Sequence, residues 1–587
     1  MKNVVNRAFK AKKKNLLSLS ASVLVSLSVA VLALSSCSDK TYEELNTDPT
    51  KALSMNPALQ LSHSILQVYG SMDYTGTHRV YTYAFTQHLM GCWNTTNYGG
   101  QHRADDNEMA RPWNNLYTGA MRNLTDGIEK AKDDTTMVNT VAAMRIFRVY
   151  VGSLLTDYYG DIPYSEAGYG YLEGKTHPKY DTQEEIYRSF FPELKAAAAL
   201  FDSKADPIKS DPLFKGDIEK WKTFASSLRL RYAMRLSDIL PEFAEAEYKE
   251  AVDSVMTSMA DDACVSHMRT SYNFGSEAYT DFRGNALSKH LYGNEPEEKP
   301  TYICSTFWNE LYDHKDPRIT RLFGFYLDKY MELGTGKGRI DLTDAIMATD
   351  AMLHEQEGET RKVIYPITPG LWWYDIWPPY NEIPNSPLTE AWENILADHP
   401  DYKHKDEKPH WMSPKLASNF LRMDNPGVIM PYAEVCFLRA EGAVKGWDSD
   451  ADEHFRKGIR AAMDMLAKYY ECEPITEDEY EQYMEDASAR YEEDPIKQIN
   501  IQAWILHFLN PAEAWANVRR SDYPVLTAPA TKYPYIDGQK MPVRLCYPLK
   551  ESSYNNDEYQ AAKSRVPGGY NWNARLWWDI KSVDDNN

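Results

Sequence analysis

The stretch TVAAMRIFRVYVGSLLTDYYG, Thr140 to Gly160, decides the fold. Val141, Met144, Phe147, Val151, Leu154, Leu155 and Tyr158 recur at steps of three and four residues, the period that gathers side chains on one face of an α-helix. Gly160 stands where such a helix can stop. The same period runs through IEKWKTFASSLRLRYAMRL (Ile218 to Leu236), where Trp221, Phe224, Ala225, Leu228 and Tyr232 form one stripe. It returns in YAEVCFLRAEGAVKGW (Tyr432 to Trp447), where the small residues Ala433, Ala440, Gly442 and Ala443 permit close helix approach. Such spacing predicts paired, stacked helices. There is no strict long repeat, only elements compatible with degenerate helical hairpins.

Between about 261 and 412 the character changes, because glycines, prolines and aromatics interrupt any period and short strand-like runs such as RKVIYPIT (Arg361 to Thr368) appear. The expected fold is therefore mostly α. A helical scaffold spans 59–260 and is completed by 413–587; it carries an irregular, loop-rich lobe with a few short strands at 261–412.

The first residues speak to compartment. Lys2, Arg7, Lys10, Lys12, Lys13 and Lys14 precede the apolar run NLLSLSASVLVSLSVAVLAL, with no acidic residue before Asp39, which is a signal-peptide layout. A retained anchor helix is the alternative, since the run approaches the ~20 apolar residues a span needs. Leu34-Ser35-Ser36-Cys37 resembles the lipobox of bacterial lipoproteins, in which the cysteine becomes the acylated first residue. We thus expect a lipoprotein signal peptide at 1–36, lipidation at Cys37 and a polar, turn-rich, lipidated leader at 37–58.

Loss of residues 1–36 removes six positive charges and takes the formal net charge from −21 to −27. So acidic a body repels phosphate backbones, and nucleic acid is not an expected partner. Besides Cys37, the cysteines are Cys92, Cys264, Cys304, Cys436, Cys472 and Cys546, none in a C-x-x-C pair, so spacing offers no zinc site. An exported chain permits disulfides, but one this large can bury a core without them. Cys436, inside an apolar helical run, reads as a plain core residue.

Three motifs that would carry catalysis or phosphate binding are absent from the sequence. His354-Glu355 continues into Gln356-Glu357-Gly358 and is no H-E-x-x-H, GTGKGR (Gly334 to Arg339) lacks P-loop spacing, and there is no G-x-S-x-G elbow. Asp448-Ser449-Asp450-Ala451-Asp452 opens like a calcium loop, but Glu453 and Ile459 occupy the positions that want glycine and a bidentate glutamate. It reads instead as a helix N-terminus, where acids suit the dipole. No enzyme activity, metal or cofactor is expected.

Eight segments together carry a family resemblance: LNTDPTKA, TDYYGDIPYSEA (Thr156 to Ala167), PKYDTQEEIY (Pro178 to Tyr187), WKTFASSLRLRYAMR (Trp221 to Arg235), HKDPRI (His314 to Ile319), PYAEVCFLRAEGAVKGW, NPAEAWANVRRSDYP (Asn510 to Pro524) and RLWWD (Arg575 to Asp579). In this order they resemble the SusD-like (RagB/SusD) outer-membrane lipoproteins. The resemblance implies a lipid-anchored protein of the outer membrane facing the cell exterior, built on tetratricopeptide-like helix pairs. It also implies capture of nutrients, usually glycans, and cooperation with a SusC-like TonB-dependent transporter. Independently, Gly160 and Pro163 predict a structural turn, and Asp316-Pro317-Arg318 a turn before a helix, with Arg318 available to cap or pair.

Two aromatic loops remain as ligand candidates. GCWNTTNYGGQHR (Gly91 to Arg103) sets Trp93 and Tyr98 among Asn94, Asn97, Gln101 and Arg103, a mixture that suits sugars: flat rings meet C–H faces while amides and guanidinium bond hydroxyls. PGLWWYDIWPPYNE (Pro369 to Glu382) collects Trp372, Trp373, Tyr374 and Trp377 between prolines that force a loop. Tyr279 and Arg283, in SEAYTDFRG, are further candidates. Each ring could equally fill a core. The reading is a cell-surface glycan-binding lipoprotein that delivers oligosaccharides to a SusC-like transporter. The alternatives are a peptide-binding member of the same family, or a surface glycoside hydrolase, whose two carboxylates need only meet in space.

Overall fold

The computed structural model describes residues 55–91, 96–100, 102–270, 281–292, 301–327, 337–341, 343–344, 393–394, 397, 414–526 and 541–580. Among its longer helices are α1 (Pro57–Gly70), α2 (Arg122–Ala131), α3 (Val138–Tyr159), α4 (Gln183–Leu200), α5 (Ile218–Arg235) and α6 (Pro241–Ala251). After the irregular region come α7 (Tyr432–Val444), α8 (Ala451–Tyr470), α9 (Glu477–Glu493), α10 (Pro495–Leu506) and α11 (Pro511–Ser521). Helices adjacent in sequence pack on one another, α3 on α4, α4 on α5, α5 on α6, α7 on α8 and α9 on α10. This is the stacked-pair arrangement that the apolar period predicts.

The strands are short. β1 (Leu89–Gly91), β3 (Thr301–Ile303), β7 (Lys415–Leu416) and β4 (Phe323–Gly324) form an antiparallel sheet in the order β1-β3-β7-β4, with Leu89 opposite Ile303 and Phe323 opposite Leu416. β2 (Ala263–Val265) pairs with β8 (Gly427–Met430), and β5 (Tyr326–Leu327) with β6 (Ile340–Asp341). Main-chain pairing thus ties the irregular region to segments on both sides of it.

Helix α3 ends at Gly160, whose φ of 88° is open to glycine and strained for other residues. The next residues lock to the start of α4. Asp181 accepts from the backbone N–H groups of Tyr164 (3.1 Å) and Ser165 (2.7 Å), Gln183 Nε2 donates to the Thr156 carbonyl (2.8 Å), and Thr182 and Glu185 close a capping box on α4. The motifs TDYYGDIPYSEA and PKYDTQEEIY are therefore two halves of one turn, the structural role expected of the first. Asp157, at the end of α3, accepts from Tyr187 Oη (2.6 Å) and Trp578 Nε1 (3.0 Å), which brings RLWWD to the same corner.

The charged residues of the other motifs are buried. Arg231 on α5 grips Glu434 on α7 through Nε (2.6 Å) and Nη2 (2.7 Å) and also donates to the Ile429 carbonyl. Arg235, one turn on, holds Glu513 of α11 (2.7 Å), and Arg520 of α11 holds Glu441 of α7 (2.6 Å). Three helices far apart in sequence are thus clamped by guanidinium–carboxylate forks, the geometry in which arginine gives most direction. Where Arg318 was expected to cap or pair, it pairs: Nε donates to Asp316 (2.9 Å) and Nη2 to Gln502 (2.7 Å), with both charged side chains buried. Gly442 on α7 is small for a reason, since a Cβ there would lie 2.3 Å from Tyr248 Oη on α6.

The acids around 450 do begin a helix. Asp450 caps α8 in a left-handed conformation, while Asp448 accepts from Arg439 (2.8 Å) and Tyr248 (3.0 Å). Among the described residues Cys264, Cys304, Cys436, Cys472 and Cys546 are free thiols, and Cys436 is buried as expected. No helix among the described residues is long and apolar enough to cross a membrane.

Candidate functional site

The loop after β1 is the sequence-predicted candidate that the structure describes best. It is seated on a π-helical turn, His78–Thr82, whose Tyr81 is fully buried. Tyr81 Oη donates to the Arg103 carbonyl (3.2 Å) and accepts from the Asp105 N–H (3.1 Å), so one hydroxyl fixes the point where the loop returns. The chain closes on itself because the Arg103 N–H donates to the Tyr98 carbonyl (2.8 Å). Gly99 lies so near the backbone that a Cβ would sit 2.4 Å from the Val80 carbonyl oxygen. Here the glycine serves close approach.

This closure brings together two of the predicted residues. Tyr98 is half-buried with its ring edge-on to Tyr81 (6.4 Å between centroids), and the exposed Arg103 guanidinium lies 5.3 Å from the Tyr98 ring centroid. A cation over a ring whose other contact is a buried tyrosine is held in place without losing its outward N–H donors. His102 turns inward beside Phe85 (6.2 Å), and burial pulls its imidazole down to about 4, so it is neutral at physiological pH. The only full charge on the described turn from Tyr98 to Arg103 is therefore Arg103.

Sequence reasoning missed a third aromatic. Trp572, half-buried, packs edge-on against Tyr81 (6.3 Å) and Phe85 (5.9 Å), so the C-terminal segment supports the same turn. The signal was present: GGYNWN (Gly568 to Asn573) has the same glycine, aromatic and amide mixture as WNTTNYGG.

Arg283 is exposed and engaged elsewhere, with Asp281 (2.6 Å), while its carbonyl accepts from the Met268 N–H (2.7 Å). The backbone of Asn97 lies in the segment Thr96–Gly100, but its side chain is outside the described structure. Cys37, Trp93, Asn94, Tyr279, Trp372, Trp373, Tyr374 and Trp377 also lie outside the described residues.

Ligand atoms of Glu434, His507 and Glu513 come within 4.8 Å of one another, the spacing of a metal site. Their surroundings argue for ion pairing, because Arg231 and Arg235 occupy the carboxylates. Two buried guanidinium charges at that distance repel a cation. Burial pulls the His507 imidazole down to about 3. The cluster is part of the helix clamp.

Comparison with known proteins gives the family. The family model described as "Starch-binding associating with outer membrane" matches residues 53–350 and 397–548. A solved Bacteroidetes SusD-like protein is 60% identical, with a TM-score of 0.84 over 90% of this chain and 100% of its own. A chitin-binding protein is 28% identical, with a TM-score of 0.70 over 90% of this chain and 100% of its own. A chitin-binding SusD homologue from Flavobacterium johnsoniae shares the fold, at 20% identity and a TM-score of 0.64 over 89% of this chain and 98% of its own. Among curated proteins none matches. The matched residues run through the buried clamp from Arg231 to Arg520, and on that breadth of agreement the chain belongs to the SusD-like family, whose description is starch-binding and associated with the outer membrane.

Proposed function

We propose that this protein is a non-catalytic, cell-surface glycan-binding lipoprotein that captures oligosaccharides and passes them to a SusC-like TonB-dependent transporter. The observation that carries the binding step is the outward Arg103 fixed over Tyr98, with Tyr81 and Trp572 behind it. A sugar ring needs a flat apolar face and donors aimed at paired hydroxyls. The family description and the 28% identical chitin-binding protein point to the same ligand class.

The test is incubation of the full mature chain with a panel of starch- and chitin-derived oligosaccharides. Retention without cleavage supports the proposal, new reducing ends make the protein a glycosidase, and retention of peptides alone gives the peptide-binding alternative. Within the panel, Tyr98→Ala should weaken binding about 2- to 12-fold, the worth of one aromatic contact. Arg103→Ala should weaken it about tenfold or more, because a hydrogen bond from a charged group contributes about 1.5–3 kcal/mol. Arg103 is exposed, so its removal should leave the melting temperature nearly unchanged. Normal glycan binding by both variants would place the site elsewhere.

Lipidation at Cys37 would supply the membrane attachment. Cys37→Ala should leave the body folded and move it from the membrane to the soluble fraction, since acyl CH₂ burial contributes about 0.8 kcal/mol per group. Continued membrane retention of the variant would instead favour an uncleaved anchor helix. A transporter partner should copurify after mild detergent extraction.

A further inference from the structure

A cavity of about 890 Å³ lies between the turn after α3, the start of α4 and the C-terminal segment, lined by Gly160, Gln183, Arg544, Asn571, Asn573 and Trp577 among others. Its size falls in the range of sites that hold a small organic ligand. We propose that it is a second saccharide-binding site, separate from the loop at Tyr98, which takes a short run of neutral sugar units. The choice of ligand rests on the glycan-binding function proposed above; the existence of a site rests on the lining.

Much of the charge in the cavity is already engaged: Arg565 pairs with Asp161 (2.5 Å), Glu184 with Arg188 (2.8 Å), and Arg575 lies 3.5 Å from Asp579, which leaves Arg544 as the one lining arginine without a carboxylate partner among the described residues. What remains is hydrogen-bonding capacity. Arg544 is 2% exposed, held by the Tyr159 carbonyl and lying 4.9 Å from the Tyr570 ring centroid, yet its Nε has no hydrogen-bond partner. A buried donor left unsatisfied is costly, and a ligand hydroxyl would relieve it. Trp577 is half-buried, and its backbone N–H donates to Gln183 Oε1 (2.9 Å), which fixes the main chain that carries the indole.

The loop that carries the amides is shaped to stay open. Gly568 and Gly569 have φ of 73° and 95°, and a Cβ at either would meet nothing within 4 Å. These glycines serve the backbone turn and do not make room. Asn571 Oδ1 accepts from the Asn573 N–H (2.8 Å), which stiffens the turn and leaves the Asn573 side chain exposed at the rim. A peptide strand would require an unpaired strand edge here, and the described lining contains none. With Gln183 and Asn571 engaged within the protein, the Trp577 indole, the exposed Asn573 amide and the buried Arg544 Nε are the groups left to meet a sugar.

The experiment titrates the full mature chain with maltoheptaose and with chitohexaose, and maps amide hydrogen exchange with and without the sugar. Trp577→Ala and Asn573→Ala should each weaken the better probe about 2- to 12-fold, and binding should slow exchange across 565–580 as well as 96–105. Asn573 is exposed, so its variant keeps the proposal testable should Trp577→Ala fail to fold. If Asn573→Ala binds as wild type and exchange slows at 96–105 alone, the second site is wrong while the glycan-binding function stands. If neither sugar binds the wild type, both fall.

Discussion

Replacing Arg231 with methionine is expected to destabilise the protein by about 3–5 kcal/mol, the cost of breaking a buried ion pair from one side. Arg231 and Glu434 are each 3% exposed at the side chain, and the fork between them joins α5 to α7. Burial pushes the Glu434 carboxyl up and the Arg231 guanidinium opposes that push. Without the arginine the carboxyl takes up a proton near neutral pH in preference to staying charged in the core. The deficit of Arg231→Met should therefore shrink as pH falls, because protonation of Glu434 then comes with less work. The double variant Arg231→Met/Glu434→Met removes both charges and should recover most of the loss, with the Ile429 carbonyl keeping its second hydrogen bond, from Asn510 Nδ2 (2.9 Å). Urea unfolding midpoints of the two singles and the double decide this. A single variant as stable as wild type would mean that the clamp contributes little.

That clamp shows where the sequence could and could not be read. The period in Thr140–Gly160 and Ile218–Leu236 identifies the helices because burial of one face is written in the spacing of apolar residues. Arg231, Arg235, Glu434 and Glu441 interrupt that pattern, and by composition alone they read as solvent-facing. Their burial depends on partners supplied by helices remote in sequence, which no local window contains. Cooperative motifs such as PKYDTQEEIY were recognisable as a set, while their job of closing a turn against Thr156 and Asp157 appears only when the turn is assembled.

The candidate site divides in the same way. A glycine-rich loop with aromatics and amides marks a binding surface by its chemistry, and Tyr98 with Arg103 is what the fold makes of GCWNTTNYGGQHR. The contact of Trp572 with Tyr81 joins segments nearly 500 residues apart, so no local window of the sequence shows it. Of GGYNWNARLWWD only RLWWD carries the family resemblance, while GGYNWN just before it has the mixture of the first loop. The fate of PGLWWYDIWPPYNE is different: those residues lie outside the described structure, and their role rests on composition.

The last residue of RLWWD leads to the second large effect. Asp579 is 4% exposed, and burial pushes its carboxyl from the usual 3.8 up to about 7, against the pull of Arg575 and Arg519. The sign follows from proton linkage. Between about pH 4 and 7 the folded protein holds a proton that the unfolded chain has released, so stability falls as pH rises through that window. A rise of about three pH units at about 1.36 kcal/mol each corresponds to a cost on the order of 4 kcal/mol, complete above pH 7. Asp579→Asn carries no charge at any pH and escapes this cost. The variant should match wild type near pH 4, exceed it increasingly up to pH 8, and lose the pH slope between them in thermal or urea unfolding. Should Asp579→Asn prove less stable than wild type at pH 8, the carboxylate is ionised and clamped by Arg519 and Arg575, and its energy belongs with the Arg231–Glu434 pair as part of the helix clamp.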